Sequence, residues 1–135
     1  MSIYRHMQCP ICKTRLQTTN SRKTNSGAST WRRRHCPNCK ITLTSREVLD
    51  LSSLIQINNK NYSRLKLTAK LARISSGSLE EDIANIVDTI ESRLLSLTRH
   101  NHQITEDIYT QEVLSVLKKI DRPSYLRFLA QLEED

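Results

Sequence analysis

Cys9-Pro10-Ile11-Cys12 and Cys36-Pro37-Asn38-Cys39, with 23 residues between the inner cysteines, are the stretches on which the fold turns. Each CxxC turn presents two sulfurs from one tight loop, and four thiolates bind Zn²⁺ tetrahedrally, so Cys9, Cys12, Cys36 and Cys39 read as a closed structural zinc site. The competing reading of Cys9 and Cys12 as a redox dithiol calls for a lone pair on a βαβ scaffold, whereas this pair has a matching twin. His6 and His35 flank the two knuckles, but four cysteines already saturate the metal, and both histidines read as surface side chains.

Working outward, Thr18, Thr19 and Asn20 lead into Ser21-Arg22-Lys23, Asn25-Ser26-Gly27 signals a turn, and Ser29-Thr30-Trp31-Arg32-Arg33-Arg34 makes an extended return. A β-hairpin or three-stranded ribbon is expected between the knuckles. Ile41-Thr42-Leu43-Thr44 alternates apolar and polar as a half-buried strand does, and Glu47 to Leu51 reads as a linker or helical turn, so a first domain is drawn over residues 1–50. With one tryptophan and few aliphatics, this segment cannot bury enough surface to fold unaided, and the metal must contribute most of its stability.

The basic charge is concentrated in that segment. Residues 1–50 hold ten Lys/Arg against Glu47 and Asp50, whereas residues 51–135 hold eleven against twelve acids. Even after four thiolates on one Zn²⁺ contribute −2, the first domain stays strongly basic, which points to a polyanionic partner. On an extended strand alternate side chains point to opposite faces, so Arg32 and Arg34 share one face and Arg33 takes the other. Arginine forks suit phosphates and guanine edges, and Arg22 and Lys23 add charge from the facing strand. Trp31 is open to two uses, stacking on a base or packing the ribbon.

Other classes are excluded. No apolar run exceeds three residues (Phe128-Leu129-Ala130), too short for a membrane span or a secretory segment, so a cytoplasmic protein without membrane contact is expected. Gly27 and Gly77 are the only glycines, and neither a GxGxxG nor a GxxxxGK[ST] phosphate loop can be written. No enzymatic activity is expected.

Residues 51–135 read as a mainly helical second domain. Leu54 to Leu65, with Asn58-Asn59-Lys60-Asn61 at its middle, is expected as a small hairpin. Lys66 to Ile74 reads as a short helix stopping near Gly77. Ser78-Leu79-Glu80-Glu81 has a capping-box pattern before Ile83, Ile86, Val87, Ile90, Leu94 and Leu97, which recur at helical spacing. Thr105 caps another helix with Tyr109, Val113, Leu117 and Ile120 on one face, its Lys118-Lys119 pair an ordinary cationic end. Pro123 separates it from a last helix carrying Tyr125, Phe128, Leu129 and Leu132. The fold class is α+β.

The order CPxC, Asn20-Ser21-Arg22, Trp31-Arg32-Arg33-Arg34-His35-Cys36-Pro37-Asn38-Cys39, then Leu43-Thr44-Ser45-Arg46-Glu47, resembles the NrdR family of bacterial repressors of ribonucleotide reductase genes. The resemblance continues through Lys70-Leu71, the helix of Glu81 to Leu97, Leu117-Lys118-Lys119-Ile120-Asp121 and Tyr125-Leu126-Arg127-Phe128, nearly the whole chain. It implies a zinc ribbon that binds double-stranded DNA, joined to an ATP-cone whose ATP or dATP occupancy sets the state of a homo-oligomer. On that reading Arg22, Arg32, Arg33, Arg34, Thr42 and Arg46 meet the DNA. The family's cone carries a Lys-Arg-Asp-Gly-like turn where this chain has Asn58-Asn59-Lys60-Asn61, which leaves Lys60, Lys66 and Lys70 as the candidates for nucleotide phosphates. The alternative implied by composition alone is a zinc-ribbon protein of the transcription or translation machinery that binds RNA or protein.

Overall fold

The computed structural model describes residues 6–75 and 80–134. Its contacts divide the chain into two compact units, Met1–Val48 and Leu49–Asp135. The first is built on β strands and the second on helices, an α+β protein.

In the first unit, β1 (Gln17–Lys23), β2 (Ser29–His35) and β3 (Thr42–Val48) form an antiparallel sheet in the order β1-β2-β3. The turn between β1 and β2 closes through the Gly27 N–H on the Thr24 carbonyl at 2.9 Å, and Gly27 sits at φ 79°, where a side chain would be strained. Register pairs Arg22 with Trp31 and Asn20 with Arg33, and Thr19 is an extra residue bulging from β1. Across the other edge, Trp31 pairs with Arg46, Arg33 with Thr44 and Arg34 with Leu43. Glu47 and Val48, expected in a linker or helical turn, instead extend β3, because they pair with Thr30 and Ser29. Among the described residues the buried apolar set here is Cys9, Leu16 and Cys36, with Cys12, Cys39, Ile41 and Leu43 packed around it. All seven residues of β1 are exposed.

The second unit opens with β4 (Gln56–Ile57) and β5 (Lys60–Asn61), joined by Asn58 and Asn59 at φ 51° and 66°. Two consecutive left-handed residues are what a two-residue hairpin turn requires, and asparagine tolerates that region. Lys60 and Asn61 therefore belong to the returning strand. The Asn58 N–H donates to the Ile104 carbonyl at 3.0 Å, which pins the hairpin to the connection between the second and third helices.

Four helices follow: α1 (Arg64–Ile74), α2 (Glu80–Arg99), α3 (Glu106–Ile120) and α4 (Arg122–Glu134). Ser63 caps α1, so Leu65, expected in the hairpin, is helical. The glycine stop at Gly77 and the capping box from Ser78 lie outside the described residues. Ile83, Ile86, Val87, Ile90 and Leu94 are buried as their spacing requires, against Leu67 and Leu71 of α1, Val113, Val116 and Leu117 of α3, and Phe128 of α4 in one core. Thr105 caps α3 and Asp121 accepts from Ser124 at the start of α4. Ile120, expected on the apolar face of α3, is 55% exposed in the last turn before the helix ends at Asp121, and the stripe runs through Val116 instead. Arg127 of α4 donates to the Ile74 carbonyl at 2.7 Å and ties the last helix to the end of the first.

Candidate zinc centre and nucleic-acid interface

The two knuckles are built alike. In each, the residue after the second cysteine, Lys13 or Lys40, adopts a left-handed φ of 65° or 64°, and its N–H turns back to the carbonyl of Cys9 or Cys36 at 2.9 Å. Backbone N–H groups also point at sulfur, Ile11 to Cys9 Sγ at 3.4 Å and Cys39 to Cys36 Sγ at 3.2 Å. Donors of this kind stabilise thiolates. The turns bring all four sulfurs within 4.8 Å of one another.

Tetrahedral Zn²⁺ with Zn–S bonds of about 2.3 Å needs sulfurs about 3.8 Å apart. Cys9 and Cys39 sulfurs are 3.9 Å apart and those of Cys12 and Cys36 3.5 Å. The donor set and its spacing fit the ion, and none of the four forms a disulfide. The Cys12 thiol is pulled down to about 5, first by the Asn38 side chain and then by Thr14. Cys39 is pushed up to about 12, first by its hydrogen bond with Cys12 and then by burial. A dication among the sulfurs ends this competition by stabilising every thiolate.

The sheet, its strands in sequence order β1-β2-β3, sorts the arginines by face. Residues directly opposite in an antiparallel pair share a face, so the register places Arg22, Trp31 and Arg46 in one row across the sheet and Asn20, Arg33 and Thr44 in the next. Thr42, opposite His35, lies on the same face. Arg33 is exposed, and its guanidinium has no ion-pair or hydrogen-bond partner among the described residues. Arg46 lies over the Trp31 ring, 5.2 Å from its centroid. Trp31, left open by the sequence, thus has an arginine on its ring.

Arg32 and Arg34 occupy the opposite face and are engaged by the protein. Arg32 reaches Glu47 at 3.3 Å. Arg34 is buried, its Nε donating to Ser45 Oγ at 2.8 Å and a second nitrogen to Thr18 Oγ1 at 3.3 Å. Alternation along β2 and the polar neighbours on β1 and β3 make Arg34 a cross-strand tie.

In the second unit, Lys60 is exposed on β5 and Lys66 is exposed on α1. Lys70 is half-buried on the same side of α1, its Nζ 4.6 Å from the centre of the Phe128 ring. Sequence reading missed a buried cluster beside them. Arg64 lies 2.7 Å from both Asp88 and Glu91, whose carboxylates are almost wholly buried. Burial raises the Glu91 carboxyl above its ordinary value, against the opposing pull of the Tyr62 hydroxyl and Arg64. The available signal was Asp88 and Glu91, three apart at the shoulder of an otherwise apolar stripe.

Residues 7–47 match the family described as "Transcriptional repressor NrdR-like, N-terminal domain". Beyond the ribbon, the chain is 30% identical over 129 residues to the transcriptional repressor NrdR of Gloeothece citriformis, covering 90% of this chain and 71% of that protein. The chain belongs to the NrdR family. Its NrdR relatives in Polynucleobacter necessarius and Alkaliphilus oremlandii are 31% and 30% identical, over 90% and 95% of this chain and 86% of theirs. The cysteine cluster lies within the NrdR ribbon match, and the helical unit is reached by the full-length NrdR relatives. Among the described residues no helix is long and apolar enough to cross a membrane.

Proposed function

We propose that this protein is a zinc-dependent, DNA-binding transcriptional repressor, with Cys9, Cys12, Cys36 and Cys39 as the zinc ligands. The observation that carries the reading is the row of Arg22, Trp31 and Arg46 beside Arg33 on one face of a sheet held by four clustered cysteines. The relatives' name, transcriptional repressor, supports regulation rather than catalysis. Arg22, Arg33, Arg46 and Thr42 form the DNA-facing set, and Arg32 and Arg34 hold its shape from behind.

Residues 1–50 then serve as the DNA-binding domain and residues 51–135 as an ATP-cone-like regulatory domain, acting wherever the DNA is. By the family resemblance, the regulated genes encode ribonucleotide reductase, and ATP or dATP controls a homo-oligomer through Lys60, Lys66 and Lys70. A ligand shifts such an equilibrium only if it prefers one state. The test is binding of the zinc-loaded chain to duplex DNA and to RNA, with sedimentation in ATP and in dATP. Binding to duplex that weakens steeply with salt is expected, because phosphate contacts release counterions. Preference for RNA at matched salt points instead to the transcription or translation machinery, and an unchanged sedimentation profile removes the nucleotide control.

A further inference from the structure

Arg33 and Arg46 share a face but not a physical state, and the difference separates two tasks in DNA recognition. Arg33 projects from the central strand into solvent, with no ion-pair or hydrogen-bond partner among the described residues. Its long side chain keeps rotamer freedom, which suits a phosphate, since a phosphate accepts from many directions and any sequence presents one. Arg46 starts on the edge strand β3, opposite Trp31, and its guanidinium is drawn over the indole to 5.2 Å from the ring centre. Contact with the ring restrains the guanidinium before any ligand arrives, so less ordering entropy is lost on binding. The planar guanidinium fork carries paired N–H donors of the kind that match the O6 and N7 acceptors of guanine in the major groove.

Resting on the DNA-binding reading above, we propose that the Arg46–Trp31 stack reads a guanine edge and sets sequence specificity, whereas Arg33 contacts phosphate and sets affinity. The same stack argues for duplex DNA over single strands. The Arg46 guanidinium over one face of the ring competes there with an unstacked base, and such stacking is how aromatic side chains bind single-stranded nucleic acid.

The test uses the full zinc-loaded chain and a duplex pool with a randomised central segment. Wild type, Arg46→Lys, Arg46→Ala, Trp31→Phe, Trp31→Leu and Arg33→Ala are each used to select from the pool, and each is titrated against the unselected pool across salt concentrations. Arg46→Lys keeps the charge but loses the planar fork. It should erase the guanine preference at one or more enriched positions and cut the ratio of selected to unselected affinity about tenfold, with the salt slope unchanged. Trp31→Leu should reproduce that loss and Trp31→Phe, which keeps a ring under Arg46, should restore most of it. Arg33→Ala should weaken selected and unselected duplexes alike and reduce the salt slope by about one, leaving the enriched bases the same. Zinc content of each variant reports whether the ribbon is folded.

A guanine preference unchanged in Arg46→Lys overturns the assignment. So does equal loss on both pools in Arg46→Ala together with a smaller salt slope, which would make Arg46 another phosphate contact. A wild-type protein that binds duplex but enriches no guanine overturns the assignment and leaves the DNA reading intact. A wild-type protein that binds no duplex removes both.

Discussion

The two units hold themselves together by different means. In the ribbon the buried apolar residues among those described are Cys9, Leu16 and Cys36, two of them proposed metal ligands, and one of its three strands is exposed along its whole length. In the helical unit sixteen of the described residues, from Ile55 to Phe128, form a continuous buried core. A short sheet without an apolar layer cannot offset the entropy of ordering its chain, so its native geometry depends on a coordination centre. The helical unit makes the same compensation by removing aliphatic surface from water. The division of labour follows: a sheet that needs no apolar face can turn one face over to arginines.

Removing zinc should separate the units most sharply. Chelation, or Cys36→Ser, should unfold the ribbon, because structural zinc contributes about 10–16 kcal/mol in small metal-folded domains. The helical far-ultraviolet signal should survive. Loss of helix in parallel with zinc would show that the units are one cooperative structure.

The reverse experiment is Leu94→Ala. Leu94 is fully buried, and truncation should cost roughly 2–5 kcal/mol through lost transfer energy and a cavity. Urea melts followed at the helices should move while zinc content stays at one ion per chain. A zinc-depleted Leu94→Ala protein would contradict the separation.

A smaller effect is expected at the start of α3. Thr105 accepts from the Ile108 N–H at 3.2 Å, and Thr105→Ala should lower the stability of the helical unit by about 1 kcal/mol. Thr105→Ser should recover most of it. Equal stability of wild type and Thr105→Ala would remove the cap from the account.

The smallest effect should be a pH dependence confined to the helical unit. Burial, the largest influence, raises the Glu91 carboxyl in the folded state, so the native protein binds a proton more readily there than the unfolded chain does. Stability from this group is therefore full below the ordinary carboxylate value and declines as pH rises through the raised one. Glu91→Gln should flatten that slope in helix-monitored urea melts over the mildly acidic range. A slope that persists would assign it to other groups.

These expectations show how unevenly the molecule can be read. The CxxC spacing specified four ligands and the expectation of zinc, since two short loops leave cysteine sulfurs little choice of partner once the chain is compact. Helical periodicity likewise marked Ile83, Val87, Ile90 and Leu94, because a helix repeats locally and its apolar stripe has to be covered by something. Asn58-Asn59 signalled its turn because few residues tolerate left-handed backbone.

Pairings across sequence distance were settled only in three dimensions. Alternation along β2 was legible, and it put Arg33 opposite in sense to Arg32 and Arg34. Which face would stay open, however, depended on the register with β1 and β3. The bulge at Thr19, the Ser45 and Thr18 hydroxyls under Arg34, and Arg46 opposite Trp31 are properties of strand alignment. The Arg64 cluster with Asp88 and Glu91 joins residues 24 and 27 apart, and no local rule relates them. Local geometry is written in neighbouring residues, because backbone conformation and helical or strand periodicity act over a few positions. The partner of a long charged side chain is chosen by whatever packing brings within reach, and that choice exists only in the folded chain.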